Sequence, residues 1–329
     1  MKRGLLVFFL SLFAVFNAQE IVLSTKQIDL SPYSKAFNPS LIRLDEGYLL
    51  SFRYVDEFDA NSSYIGVVVL DSSFEKITQP QLLATRTDSN SASHAEDARL
   101  FEFRGRLFVI YNDNVDGERF NYYGRRDMFI SEFFSQDGRF QLSAPIKMVS
   151  KQHYPSQIWQ KNWIPFEWDE TLLLVYSINP HQILYPNLRT GECFPYFVTQ
   201  PDIHWEHGTL RGSTPAKLID GEYLAFFHSG VWTSSEVSYG FEMWHYYMGA
   251  YTFAAEPPFE ITKISSKPIH ADGFYTPSSC WKRVIFPGGF ISEDSYIYLA
   301  YGKDDCEVWI AVLDYHALKQ SLVSHGGKT

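Results

Sequence analysis

The hydrophobic positions of this chain fall in short segments, in which apolar residues either alternate with polar ones or form brief apolar runs. Gly, Asp, Asn and Pro separate these segments, and after residue 20 the sequence has no second long apolar run, heptad repeat or low-complexity linker. Short strand-like segments between turn-forming residues are typical of all-β proteins. The pattern therefore predicts an all-β fold, with a single domain over residues 19–329.

Five of the predicted strands resemble one another. They occupy residues 48–53, 107–112, 172–177, 223–228 and 297–302. The fifth residue of each is Phe or Tyr, and the sixth is polar or Gly. Each follows another predicted strand and a tight turn. Ten positions before the five strands begin, in chain order, stand Asn38, Asp97, Asn162, Ser213 and Pro287.

The five copies begin 59, 65, 51 and 74 residues apart. Such a period is typical of the blades of a β-propeller, in which each blade packs on its neighbours and leaves only short sheet edges. The sequence therefore predicts a five-bladed β-propeller. A β-sandwich with similar hairpins is the alternative, but it does not account for the constant ten-residue offset.

The repeat also predicts a pocket. The innermost strands of a propeller line a central channel, and their ends meet at one mouth. Asn38, Asp97 and Asn162 occupy equivalent positions on these strands. Arg53 and His228 are sixth residues of the following strands, and they reach the same mouth because partner strands run antiparallel. We therefore expect polar side chains to ring this mouth.

Composition and charge limit the classes of partner. The chain has 28 Lys and Arg against 38 Asp and Glu, a formal charge of −10. Binding to nucleic acid requires clustered Lys and Arg, and no such cluster occurs, so we expect no nucleic-acid partner. Trp, Tyr and Phe are abundant, at 17% of the residues, which favours β structure.

Residues 1–18 have the pattern of an export signal. Lys2 and Arg3 precede an apolar run from Gly4 to Phe16, which is too short for a stable membrane span. The pattern predicts cleavage after Ala18 and a secreted or periplasmic protein with no membrane span after cleavage. An uncleaved anchor is the alternative. An exported protein can form disulfides, and the sequence does not show which of the three cysteines would pair: Cys193, Cys280 and Cys306.

Several segments together form a recognisable pattern of motifs. They are Asn38-Pro39-Ser40, Phe52-Arg53, Glu96-Asp97-Ala98-Arg99, Gly212-Ser213-Thr214-Pro215, Phe227-His228 and Tyr301-Gly302-Lys303-Asp304-Asp305. In order and spacing, from about residue 35 to 315, they resemble the motifs of glycoside hydrolase family 130. That family contains β-mannoside phosphorylases and β-mannosidases on a five-bladed propeller.

The resemblance implies a role for Asp97 as general acid, with Ala98 where the family usually has Pro. Glycoside cleavage requires a carboxylic acid that protonates the leaving oxygen. A structural ion pair between Asp97 and Arg99 is the alternative, because ion-pair networks imitate functional carboxylates. The resemblance and the predicted mouth together imply these substrate-binding residues: Asn38, Ser40, Arg53, Arg99, Lys161, Asn162, Arg211, Thr214, His228 and Asp305.

The sequence leaves the attacking group open. Family members invert, so they use either inorganic phosphate or a base-activated water. Arg53 and His228 match cationic positions of the phosphorylases, but Phe166 and Glu167 stand where an Arg-Lys pair is implied. Losing a guanidinium fork, with a carboxylate in its place, weakens phosphate binding. The candidates to compensate are Lys161 and Arg211.

Hydrolysis would need a base instead. Glu206, in the loop before the fourth repeat, is the predicted base. His204 and His207 flank it, but His-x-x-His in a loop is a weak metal signal and a surface turn is the better interpretation. We therefore predict no metal and no cofactor, with inorganic phosphate as the candidate co-substrate.

Sugar recognition also predicts aromatic platforms, because pyranose faces are apolar while their hydroxyls need polar partners. Packing inside the blades is the alternative for any of these side chains. The candidates are Trp159, Trp163, Trp205, Trp232 and Tyr275.

Taken together, the sequence predicts a secreted carbohydrate-active enzyme that cleaves a β-mannoside-like bond with inversion. Its expected partner is an oligosaccharide or glycan. Two other functions stay open: a non-catalytic glycan-binding propeller, and a transferase that uses the same pocket in the synthetic direction.

Overall fold

The computed structural model describes residues 20–56, 58–59, 62–86, 93–114, 126–136, 138–151, 159–278 and 280–324. The predicted export signal of residues 1–18 lies outside this range. The described chain is all-β, as predicted: it forms 23 strands, one 3₁₀ turn and one short α-helix. None of its helices has the length and apolar character needed to cross a bilayer.

Most strands form five groups that follow one another along the chain. Before them comes β1 (Val22–Gln27). The first group is β2 (Ala36–Arg43), β3 (Tyr48–Val55), β4 (Ser63–Leu70) and β5 (Gln81–Leu82). The second is β6 (Glu96–Phe103), β7 (Arg106–Asp113), β8 (Asp127–Gln136), β9 (Arg139–Leu142) and β10 (Ile146–Ser150). The third is β11 (Ile164–Trp168), β12 (Thr171–Ser177), β13 (His181–Pro186) and β14 (Glu192–Thr199).

The last two groups complete the chain. The fourth is β15 (Arg211–Gly212), β16 (Lys217–Ile219), β17 (Glu222–Thr233), β18 (Met243–Ala254) and β19 (Ile261–Ser265). The fifth is β20 (Arg283–Glu293), β21 (Tyr296–Lys303) and β22 (Glu307–Asp314). A 3₁₀ turn, Glu236–Ser238, lies between β17 and β18. Helix α1 (Tyr315–Ser321) and β23 (Leu322–Ser324) follow the fifth group, and β23 pairs with β19.

Within each group the strands pair antiparallel, mostly with their neighbours in sequence. In the second group β9 and β10 both pair with β8, and in the fourth group β15 and β16 both pair with β17. Two parallel bridges, β10 with β14 and β18 with β20, join neighbouring groups, so the strands are connected into three sheets. The chain closes on itself because β1 pairs antiparallel with β22, with Ser24 opposite Val312 and Thr25 opposite Ala311. The fifth group thus gains its fourth strand from the beginning of the domain.

The hydrophobic core consists of five clusters, and each contains residues of two successive groups. Leu50 of the first group and Ile291 of the fifth share one cluster, so the series of packed layers is continuous from the last group back to the first. Clusters between the first and second, second and third, third and fourth, and fourth and fifth groups complete the series. The Phe or Tyr at the fifth position of the repeated strands is buried in these layers in four of the five copies: Phe52, Tyr111, Phe227 and Tyr301.

The tight turns predicted between paired strands are present. Arg104 and Gly105 have φ of 50° and 66°, and Asp220 and Gly221 have φ of 51° and 80°. Positive φ at both central residues of a two-residue hairpin turn matches the twist of the flanking strands, which is why Gly and Asp suit these positions.

The cysteines lie in two places. Cys193 is buried in the layer between the second and third groups. Cys306 is also buried, with its sulfur 3.7 Å from the hydroxyl of Ser278, and that hydroxyl accepts the backbone N–H of Cys280 at 3.1 Å. If two cysteines pair, the fold therefore favours Cys280 with Cys306.

Candidate active site

Three residues at the equivalent repeat positions share an unusual backbone conformation. Asn38, Asp97 and Asn162 have φ of 48°, 54° and 65°. Asn and Asp adopt this left-handed region more readily than other non-Gly residues. At Asn38 and Asp97 the strand register also shifts by one residue, which is a β-bulge. The bulges turn these polar side chains out of the regular strand pattern.

Asp97 is the buried centre of the site. Its Oδ1 accepts a hydrogen bond from Asn38 Nδ2 at 2.8 Å and lies 3.7 Å from Nη1 of Arg53. Only 7% of the residue is exposed. The contacts confirm that the first two groups bring Asn38, Arg53 and Asp97 together, as the repeat predicted.

Glu96 is the other carboxylate of the site, and sequence reasoning did not select it. Its oxygens lie 2.7 Å from Nη2 of Arg53, 2.7 Å from Nη2 of Arg126 and 2.7 Å from Nζ of Lys161. Glu96 is therefore bound by cations from three parts of the chain. We call the six residues Arg53, Glu96, Asp97, Arg99, Arg126 and Lys161 the central cluster.

The cations keep both carboxylates ionised. Burial is the largest single effect and raises the pKa of Asp97, but the charges of Arg53 and Lys161 both lower it. Together with the charge of Arg99 and the hydrogen bond from Asn38, they bring this pKa to about 2. The pKa of Glu96 is also lowered, because the nearby cations outweigh its burial.

The central cluster carries excess positive charge. Four cations (Arg53, Arg99, Arg126 and Lys161) act on two carboxylates (Glu96 and Asp97), so the formal balance is 4 − 2, or +2. Such a site can accept an anion, because an anion compensates cations that are largely buried: the side chains of Arg53 and Arg126 are 18% exposed and that of Lys161 is 25% exposed.

Arg99 joins three of the strand groups and is fully buried. Its guanidinium donates to the backbone carbonyl of Asp97 at 2.6 Å and to Oδ1 of Asn162 at 3.0 Å. It also donates from Nε to the carbonyl of Ser213 in the fourth group. Burial lowers the pKa of Arg99 to about 10, and Asp97 opposes this shift. Arg99 therefore binds the backbone carbonyl of Asp97 rather than its carboxylate, in contrast to the alternative of a side-chain ion pair. We call these three contacts of Arg99, to Asp97, Asn162 and Ser213, the Arg99 bracket.

His228 reaches the same region but is not a cation. Its Nδ1 is hydrogen-bonded to the hydroxyl of Ser213 at 2.7 Å, and its ring is buried. Burial, followed by the charges of Arg211 and Arg99, lowers the pKa of His228 well below its ordinary value. The resemblance implied a positive charge at His228, and the structure makes it a neutral imidazole instead.

The other predicted binding residues are distributed around the cluster. Ser40 and Thr214 are buried, and their hydroxyls accept the backbone N–H groups of Leu100 and Phe226, both at 3.0 Å. These hydroxyls therefore connect strands. Arg211 is exposed beside His228, with which it pairs across β15 and β17.

Asp305 lies near Arg53 of the central cluster, as predicted for a binding residue. It is ion-paired to Lys282 at 2.7 Å. Burial lowers the pKa of Arg53, and the charges of Glu96, Asp97 and, more weakly, Asp305 raise it. The last group thus contributes a carboxylate at the edge of the central cluster.

Gly302 is required at this point of the fifth group. A Cβ there would lie 2.4 Å from Oδ1 of Asn38 and 2.6 Å from its backbone nitrogen. Only Gly allows β21 to approach Asn38 this closely, so the last group helps to hold the residue that orients Asp97.

Glu206, the predicted base, lies outside this network. Its side chain is 77% exposed and is 3.2 Å from Nε2 of His204, which is 89% exposed. No hydrogen bond or ion pair among the described residues joins Glu206 to the central cluster. The described residues also contain no group of three His, Cys, Asp or Glu side chains placed to hold a metal.

Phe166 and Glu167, which stand in the third group where the resemblance implies an Arg-Lys pair, also lie away from the central cluster. Phe166 is buried between the third and fourth groups. Glu167 accepts a hydrogen bond from the backbone N–H of Arg104 in the turn that follows β6, at the opposite end of that strand from Asp97. The expected repulsion of phosphate by Glu167 is therefore wrong, while Lys161 does reach the cluster.

The predicted aromatic platforms divide into core and surface. Trp163 and Tyr275 are buried in the hydrophobic layers, so they are not platforms. Trp205 is half-buried and donates to the hydroxyl of Ser229 at 2.8 Å. Trp159 is 40% exposed, with Nζ of Lys161 5.3 Å from its ring centre, and Trp232 is 55% exposed.

Sequence reasoning missed Glu96 and Arg126 for different reasons. Glu96 stands next to Asp97, and a strand would point adjacent side chains to opposite faces; the bulge at Asp97 removes that alternation. Arg126 lies just before β8, outside the aligned hairpins, so the repeat contained no signal for it.

Comparison with known proteins reveals similarity of structure. No protein-family model and no curated protein matches the chain. A solved structure from the GH130 family of mannoside phosphorylases, which contains glycoside hydrolases that target β-1,2-mannosidic linkages in Candida mannan, has a TM-score of 0.62 at 13% identity. The match covers 85% of this chain and 84% of that one.

Two phosphorylases match over more of the chain. A mannose phosphorylase from Leishmania mexicana, solved with phosphate, has a TM-score of 0.62 at 12% identity and covers 93% of this chain and 92% of its own. The β-1,2-mannobiose phosphorylase from Listeria innocua, solved with β-1,2-mannobiose, has a TM-score of 0.60 at 15% identity. That match covers 92% of this chain and 94% of the phosphorylase. The chain therefore has a fold like that of the glycoside hydrolases and mannoside phosphorylases of family GH130.

Proposed function

We propose that this protein is a carbohydrate-active enzyme that cleaves a β-mannoside-like bond, with Asp97 as the proton donor and inversion at the sugar carbon. The observation that carries the proposal is the central cluster: a buried carboxylate beside an excess of largely buried cations. The structural similarity to mannoside phosphorylases and glycoside hydrolases supports it. The five strand groups and the five layers between them support a five-bladed propeller as the scaffold.

Inorganic phosphate is the attacking group that the charge distribution favours. The cluster has a formal excess of two positive charges, and Arg53, Arg126 and Lys161 already converge on one carboxylate, that of Glu96. Guanidinium and ammonium groups in this arrangement suit the oxygens of phosphate. Phosphate would attack the anomeric carbon while the glycosidic bond breaks and the leaving oxygen takes a proton from Asp97.

Asp97 can donate a proton only if bound substrate raises its pKa. In the free protein that pKa is about 2, so the carboxyl group is ionised near neutral pH. A sugar that separates Asp97 from Arg53 and excludes water would remove part of the stabilisation of the anion. The proton is then taken up with the substrate.

Hydrolysis is the other route for the same pocket. It would use a water activated by a base, and Glu206 stays the prediction for that base although it is exposed in the free protein. Export of the protein also stays a prediction, supported by the basic and apolar pattern of residues 1–18.

A glycan-binding protein without catalysis is the second candidate. The low pKa of Asp97 favours it, because a permanently ionised carboxylate accepts hydrogen bonds from sugar hydroxyls without donating a proton. The two functions make opposite predictions for turnover and the same prediction for binding.

Cleavage by the wild-type protein separates these two functions, and the substitution Asp97→Asn then tests the role of Asp97. It preserves the shape of the side chain and removes the proton, so we expect cleavage of manno-oligosaccharides to fall by about 100-fold or more, while calorimetry still detects binding. The matched control is Asp220→Asn, an exposed carboxylate paired with Lys319, which should keep full activity. Unchanged turnover in Asp97→Asn would exclude Asp97 as the proton donor.

A further inference from the structure

The hairpin of β17 and β18 is the longest in the molecule's described part, with twelve residues in each strand. Its register places His228 opposite Met248, Gly230 opposite Tyr246, and Trp232 opposite Trp244. Residues two apart on a strand, and residues directly opposite on an antiparallel partner, share one face. One face of this hairpin therefore runs from His228 at the central cluster out to Trp232 and Trp244.

The aromatic rings on this face contact one another in series. The ring centres of His228 and Tyr246 are 5.7 Å apart and nearly parallel, at 17°. Tyr246 and Trp244 are 6.2 Å apart, and Trp244 and Trp232 are 5.9 Å apart, both edge to face. We call Tyr246, Trp244 and Trp232 the aromatic stripe.

The stripe becomes more exposed with distance from the cluster. His228 is 2% exposed, whereas Trp244 and Trp232 are 47% and 55% exposed. Trp232 lies four positions along the strand from His228, which corresponds to about 13 Å. A contiguous exposed apolar patch that continues from a buried polar site points to ligand binding, whereas single exposed apolar side chains are common on protein surfaces.

Gly230 makes the inner part of the stripe possible. A Cβ at this position would lie 2.7 Å from Cε1 of the Tyr246 ring. Without a side chain there, the Tyr246 ring can pack over Gly230 and contact both the buried ring of His228 and the exposed ring of Trp244. A larger residue would force Tyr246 away from the strand.

We propose that the aromatic stripe binds the sugar units of an oligosaccharide beyond the bond that is cleaved, so that the substrate is a chain of several pyranosides rather than a disaccharide. This inference rests on the proposed function. Apolar pyranose faces stack on indole and phenol rings, and the continuity of the stripe with His228 aligns such a chain with the central cluster. A second copy of this chain is the other conceivable occupant, and the test below separates the two.

The test uses Trp232→Ala, Trp244→Ala and the double variant. With manno-oligosaccharides of increasing length, we expect the double variant to lose about tenfold in kcat/KM on long chains, with no change on the disaccharide. Calorimetry on the same variants in the Asp97→Asn background should show the same dependence on chain length. The control is Tyr239→Ala with Trp281→Ala, equally exposed rings that stack on each other at 6.1 Å outside the stripe.

Each outcome decides the inference. Equal losses on short and long chains, or no loss on either, would overturn it. A change in oligomeric state by light scattering, without a change in chain-length dependence, would assign the stripe to contacts between copies instead. If the wild-type protein binds long chains through the stripe but cleaves none, the proposed activity fails and the inference stands. If it binds none of them, both fail.

Discussion

At the scale of single residues, Asp97 must be protonated to act as an acid, yet its surroundings stabilise the ionised form. A general acid must hold a proton, whereas the free site stabilises the anion through Arg53, Lys161 and Arg99. The stabilisation is useful for folding because it compensates the burial of the carboxylate. It also means that the protonated form has to be produced by substrate binding.

The same pKa predicts how stability depends on pH. The pKa of Asp97 is lowered from 3.8 to about 2 in the folded protein, so its contribution to the free energy of unfolding is about 2 kcal/mol. That contribution is fully present above pH 4 and is lost as the pH falls towards 2. In urea unfolding, the stability difference between wild type and Asp97→Asn should therefore be largest at pH 7 and smaller at pH 3. A difference that does not vary with pH would contradict the assigned ionisation.

The sequence predicted some of these residues and not others for identifiable reasons. Asn38, Asp97 and Asn162 recur at one offset in the repeat, so their convergence could be read from spacing. The neutrality of His228 could not, because it depends on burial and on Arg211 and Arg99 from different parts of the fold.

At the scale of elements, the bulged first strands and Arg99 fix the site. Arg99 connects β6 to Asn162 before β11 and to Ser213 after β15. The bracket therefore holds the first strands of three groups at a common separation. Any displacement of one strand would also move Asp97, whose carbonyl accepts from Arg99.

The substitution Arg99→Lys tests this bracket. A Lys ammonium is a point charge and cannot donate to three acceptors in a planar fork, so we expect a loss of about 3 kcal/mol in the free energy of unfolding. Arg106→Lys is the control, because Arg106 is exposed, with its guanidinium paired to Glu132 and lying over the Phe108 ring at the surface; it should change stability by less than about 0.5 kcal/mol. Urea unfolding measures the loss of stability in each variant, and the comparison requires that the variants have the same m-value as the wild type. Equal effects of the two substitutions would show that Arg99 does not join the strands.

The hairpins were the most predictable elements. All five aligned strands of the repeat are present as β3, β7, β12, β17 and β21. Their turns require positive φ, and Gly and Asp signal this locally. The extension of β17 to Thr233 was not predicted, because the residues past His228 continue the strand beyond the length that the other copies share.

At the scale of the whole molecule, the fold depends on contact between its two ends. β1 pairs through five residues with β22, and Lys26 of β1 is ion-paired with Glu75 of the first group at 2.6 Å. The sequence did not reveal this pairing, because β1 lies outside the aligned hairpins and its partner is almost 300 residues away along the chain.

Removing β1 should therefore destabilise the entire domain. A chain lacking residues 1–27 would leave the edge of β22 uncovered, and we expect a loss of several kcal/mol, from about 1 kcal/mol per backbone hydrogen bond, together with aggregation through that edge. A chain lacking only residues 1–19 keeps β1 and should melt like the full-length chain. Thermal unfolding followed by circular dichroism compares them, and identical melting of the two truncated chains would show that β1 does not close the fold.

The central claim is that the cluster around Asp97 cleaves a glycoside with phosphate as the attacking group. The most direct measurement is incubation of the protein with manno-oligosaccharides, with and without inorganic phosphate, followed by identification of the released sugar. We expect α-mannose 1-phosphate, because inversion converts the β bond to the α product, and we expect it only when phosphate is present. Release of free mannose that does not depend on phosphate, or no cleavage of chains that the protein binds, would contradict the claim.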